Sequence, residues 1–117
     1  MKKIVLALFL AFSCTTALAQ FIKGNQLREW LAADDRLENG VRSHIDYTNS
    51  ASGTFYITGV AETFSVLGLL CLPNGVTTGQ MQAVVSKYLK EHPEKWNNDA
   101  NPIVYVALSS AFPCPKK

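Results

Sequence analysis

Two cysteines, Cys71 and Cys114, stand downstream of a leader-like start, and they constrain the fold more than any other feature of the chain. Cys71 ends an apolar run with helical spacing, and Cys114 lies in the tail Phe112-Pro113-Cys114-Pro115 behind another. The stretch between them carries the capping chemistry of two more helix starts. Two cysteines without metal-like spacing read as a disulfide in an oxidising compartment. Such a bond would staple the end of a second helix to the tail after a fourth. The expected fold class is therefore all-α, a small bundle of about four helices with one disulfide, preceded by a cleaved signal peptide.

The leader sets the compartment. Lys2 and Lys3 form a positive start, residues 4–12 an apolar stretch, and Ala17-Leu18-Ala19 a small-x-small cleavage site. The stretch is short of the roughly 20 residues that cross a bilayer. A rival reading lipidates Cys14, but Phe12 places a bulky ring where such signals want small residues. Residues 1–19 are thus expected to leave, and residues 20–117 to form one domain that begins at Gln20. Cys14 departs with the leader, which leaves an even cysteine count. Loss of Lys2 and Lys3 also leaves nine basic residues against nine acidic ones. A formally neutral body without runs of like charge argues against a nucleic-acid partner or an anionic membrane surface.

Helical periodicity organises the rest. Asn25 is the expected N-cap of a first helix, with Leu27, Trp30 and Leu31 recurring at helical spacing to about Ala33. Residues 34–52 are polar and broken by Asn39-Gly40 and Asn49-Ser50, which reads as a long connection holding one short helix over 41–47. The second helix carries the strongest signal, with Ile57, Val60, Ala61, Phe64, Leu67 and Gly68 on one face and Cys71 continuing the rhythm. The β-branched and aromatic residues over 54–60 would also suit a strand, but the continuation to Leu70 favours helix. Glycine inside a helix costs about 1 kcal/mol against alanine, so Gly59 and Gly68 ask for a packing reason.

Leu72-Pro73-Asn74-Gly75 is a turn, and Thr77 with Gln80 forms a capping box that opens a third helix with Met81, Val84, Val85, Tyr88 and Leu89 inside. His92-Pro93 closes it, because the residue before proline avoids helical geometry. A polar loop follows to Asn101, the expected cap of a fourth helix with Pro102 at its first position. Val104, Ala107, Leu108, Ala111 and Phe112 form that helix's inner face, and Pro113 stops it.

Reactive constellations are sparse. A cysteine nucleophile needs a thiolate beside a histidine, and both remaining cysteines are expected to be oxidised. His44 with Asp46 does not share one helical face, and His92 lies on a polar segment, so both histidines read as solvated. Glu62 is the one acid within an apolar helix, either a polar anchor at a contact or a wet-face residue. No phosphate loop, serine elbow or metal-ligand cluster appears, so no cofactor or metal is implied and an enzyme is disfavoured. A rigid stapled scaffold suits binding through loops. The expected partner surface is the loop carrying His92, Glu94, Lys95, Trp96, Asn97, Asn98 and Asp99. Trp96 there reads either as an interface anchor or as a tryptophan folded back onto the core.

An ordered set of motifs resembles the Rap/Tai family of type VI secretion immunity proteins. Gly24-Asn25-x-Leu27, Tyr56-Ile57-x-Gly59-Val60 and Cys71-Leu72-Pro73-x-Gly75-Val76-Thr77 appear in order with Gly79-Gln80. Tyr88-Leu89-x-x-His92-Pro93-Glu94 and Ala107-Leu108-x-x-Ala111-Phe112-Pro113-Cys114 complete the set. The resemblance implies a periplasmic, mostly helical homodimer that blocks a peptidoglycan amidase effector, with Cys71 and Cys114 as its disulfide. A second cysteine pair often found in that family has no counterpart near Trp30-Leu31 or Gly53. A small stapled periplasmic chaperone is the alternative reading, and an enzyme using His44 or His92 ranks behind both.

Overall fold

The computed structural model describes residues 21–116, so the leader lies outside the described residues. Four α-helices follow in order: α1 (Gly24–Glu38), α2 (His44–Val66), α3 (Thr78–Glu91) and α4 (Ala100–Ala111), with a 3-10 turn at Pro93–Lys95 between the last two. Among the described residues there is no strand, only an isolated antiparallel bridge pairing Lys23 with Asp99. The all-α expectation holds, as does the staple: Cys71 and Cys114 are bonded, with Cα atoms 5.0 Å apart.

One core unites all four helices. Leu27 and Leu31 of α1, Ile57, Val60 and Ala61 of α2, Met81, Val85 and Leu89 of α3, and Ile103, Val104, Ala107 and Leu108 of α4 are buried together. Burying each of the larger aliphatic side chains among them stabilises the fold by roughly 1.5–3 kcal/mol before entropy is counted. On α4 the face starts earlier than the periodicity suggested. Ala100 and Ile103 are buried, whereas Ala111 is exposed and Phe112 only half-buried.

The stretch over 34–52 departs most from expectation. It is the last turn of α1 and the first turns of α2, joined by a five-residue link over 39–43 in which Gly40 adopts φ +87°. Polar pairs between the two helices overcome its weak propensity. Arg36 donates to Asp46 Oδ1 from Nε at 3.1 Å and from Nη2 at 2.6 Å, and Ser50 Oγ donates to Asp34 Oδ1 at 2.6 Å. The hydroxyls of Thr48, Ser52 and Thr54 each bond the carbonyl four residues back, so small polar residues persist within a helix.

Helix α2 also ends sooner than expected. Leu67 is its C-cap and Gly68 follows at φ +70°, the left-handed conformation that glycine adopts after a helix without steric penalty. Gly68 is therefore a terminator rather than a packing position, and Cys71 lies in the loop beyond. Gly53 does serve close packing: a Cβ there would lie 3.2 Å from the Cβ of Trp30 on α1. A Cβ on Gly59 would meet nothing within 4 Å. The capping box at α3 forms as expected, Thr77 accepting from the Gln80 backbone and Gln80 reaching back to the Thr77 N–H.

Candidate functional site

The loop over 92–99 starts where proline removes a donor. In an α-helix the Leu89 carbonyl would accept from the N–H of residue 93, but Pro93 has none. The Trp96 indole Nε1–H replaces it, donating to Leu89 O at 2.7 Å. That bond turns the ring inward, half-buried against the core, with the Arg28 guanidinium over its outer face 4.0 Å from the ring centroid. Of the two readings of Trp96, the ring's position matches the one that folds back.

The same loop caps α1. Asn25 is not the N-cap; that position belongs to Lys23, whose side chain makes no capping bond. The first amides of α1 are satisfied by loop carbonyls instead. Gly24 N–H donates to Asn98 O at 2.9 Å and Asn25 N–H to Trp96 O at 2.8 Å. Ala100 N–H donates in return to Ile22 O at 2.8 Å, which moves the start of α4 ahead of Asn101. Asp99 is thus the N-cap of α4, and Pro102 sits third, still among the amides that need no helical partner. Gly24 is required by this approach: a Cβ would lie 3.0 Å from both Trp96 Cα and Trp96 O, and 2.9 Å from Ile103 Cδ1.

The remaining loop side chains point outward in pairs. The His92 ring stacks on Tyr88, centroids 4.3 Å apart, and its Nδ1 lies 3.1 Å from Glu94 Oε1. Glu94 is held below the usual carboxylate range, first by its own backbone N–H and then by His92. Asn25 Nδ2 donates to Asn97 Oδ1 at 3.0 Å, and Lys23 pairs with Asp99. Lys95 is half-buried, while Asn97, Asn98 and Asp99 are exposed. Apart from Trp96, which turns inward, the expected site residues lie along one loop of amides and charges that is tied to α1 through the Trp96 and Asn98 carbonyls. His44 and Asp46 are not brought together, since Asp46 turns inward to Arg36 and His44 stays exposed. Glu62 is exposed.

Two features escaped the sequence reading. A cleft of about 260 Å³ between α1 and α3 runs up to Trp96, floored by Leu31, Ala32 and Leu89 with Arg28 and Lys90 at its rim. Helix α2 and its C-cap also leave large apolar side chains uncovered, with Phe55 76%, Val66 87% and Leu67 63% exposed. Its signal was legible, because apolar residues surround α2 rather than keeping to one stripe.

Comparison with known proteins adds a family. The family model of Rap1a immunity proteins matches residues 23–114. No curated protein matches significantly. The matched span starts at Lys23, half of the bridge that ties the loop to α1, and ends at Cys114, half of the staple. It takes in all four helices, and the chain belongs to the Rap1a immunity protein family.

Proposed function

We propose that this protein is a periplasmic immunity protein that binds and blocks a type VI secretion peptidoglycan amidase, protecting the cell that makes it. Family membership supports an immunity role against a type VI effector. The observation that carries the finer reading is the loop over 92–99, whose Trp96 and Asn98 carbonyls hold the first amides of α1 while its amide and charged side chains face out. Inhibition needs no chemistry of its own. A rigid projection that enters a substrate groove excludes substrate, and binding loses little entropy when the projection is already ordered.

The Cys71–Cys114 bond fits an oxidising compartment outside the cytoplasm, and among the described residues no helix is long and apolar enough to cross a membrane. The uncovered face of α2 supports the second part of the reading, a homodimer. Large apolar side chains left uncovered suit an interface, and Phe55 and Val66 are the most exposed of those on α2.

Capture of purified type VI amidases by the mature protein tests the partner. One of them should bind tightly and lose activity against peptidoglycan, and binding to none of them would remove the proposal. Suppression of client aggregation without amidase binding would favour the chaperone alternative. For the dimer, Phe55→Glu should shift the mass in solution from two copies to one; an unchanged mass removes α2 as the interface.

A further inference from the structure

We propose that Trp96 is the positioning residue of this surface: it fixes the segment over 97–99 for a partner and is not itself the anchor that a partner buries. The inference rests on the immunity reading above. A loop tryptophan flanked by Asn97 and Lys95 looks like an interface anchor, since tryptophan is enriched among residues that dominate binding. The structure commits this one elsewhere. Its N–H is consumed by the Leu89 carbonyl, one ring face is covered by Arg28, and the ring packs against the core.

Its backbone carbonyl holds the Asn25 amide, and two residues later the Asn98 carbonyl holds the Gly24 amide. Trp96 is thus where the end of α3, the start of α1 and the presenting segment meet. In this segment the side chains of Asn97, Asn98 and Asp99 are exposed, with Asn97 and Asp99 paired to Asn25 and Lys23 across the junction. Their backbone geometry depends on the turn that the indole bond closes.

Trp96→Phe separates positioning from contact, because it keeps an aromatic ring under Arg28 while deleting the donor together with part of the indole. Amide hydrogen exchange in the free variant should quicken at Gly24 and Asn25 by about fivefold, the effect of one ordinary net hydrogen bond. Affinity for the amidase that captures the wild type should fall by a similar factor, since only the ordered fraction of the loop is competent. Circular dichroism checks that the fold survives.

Asn98→Ala, which keeps the backbone carbonyl, should weaken binding without quickening exchange. Combined with Trp96→Phe the two losses should multiply, because one variant lowers the ordered fraction and the other the contact that the ordered loop makes. Unchanged exchange in Trp96→Phe, or unchanged affinity despite quickened exchange, would overturn the proposal. Failure of the wild type to bind any amidase overturns the immunity reading and, with it, the role assigned here toward a partner. The exchange measurement then still decides whether the indole bond orders the segment.

Discussion

Asp46 is a carboxylate only 5% exposed, and its charge is tolerable because Arg36 reaches it through two nitrogens. Arg36 also reaches Glu29 at 2.9 Å, and these acceptors, Asp46 foremost, hold its guanidinium firmly in the charged form. Arg36→Ala would strand a buried charge, which costs more than the pair itself contributes. Arg36→Ala should therefore lower stability in urea unfolding, with Asp46→Asn costing less. Equal stability of Arg36→Ala and wild type would mean that water reaches Asp46.

Tyr56 has a raised pKa, mainly from burial and secondly from the charge of Asp99. A group whose folded pKa exceeds its unfolded one contributes stability that is present below the unfolded value and lost as pH rises through the folded value. The loss therefore belongs to strongly alkaline solution, above about pH 10. Tyr56→Phe should flatten that part of the stability profile and leave neutral pH almost unchanged. An alkaline loss of equal size in both proteins would assign it to other groups.

Among the elements, helix starts show what was legible and what was not. The Thr77–Gln80 box could be read because both halves lie three residues apart in one segment. The start of α1 could not, because its caps are carbonyls more than seventy positions away, at Trp96 and Asn98. Asn25 looked like a cap and instead bonds Asn97. The polar stretch over 34–52 hid two helix ends for the same reason: Arg36, Asp34 and Ser50 find their partners on the neighbouring helix, where sequence spacing does not show them. Trp96 belongs here too, since the loop was found but the ring's inward turn depends on the carbonyl that Pro93 leaves open. Gly24→Ala tests this junction. Its Cβ would press on Trp96 and Ile103, and stability should fall by roughly 1–3 kcal/mol as in other overpacked sites. Alanine normally favours a helix over glycine, so an increase in the melting temperature would show that the loop can yield.

For the molecule as a whole, fold class and staple were legible, and so was the apolar surround of α2, but not which part of it stays uncovered, because sequence spacing shows that a residue is apolar but not what covers it. The disulfide joins residues 43 positions apart, and closing such a loop should contribute about 4 kcal/mol by restricting the unfolded chain. Reduction with dithiothreitol, or Cys71→Ser with Cys114→Ser, should lower stability toward that extent and leave helix content at low temperature nearly intact. A melting curve indifferent to reductant would show that packing alone holds the tail.

The ring closed by Cys71 and Cys114 encloses α3, the loop over 92–99 and all of α4. A protease that cuts once anywhere inside it yields two peptides still tethered through sulfur. The damaged molecule keeps its pieces at high local concentration and can close over the break, so a single nick in the exposed loop need not disarm the cell.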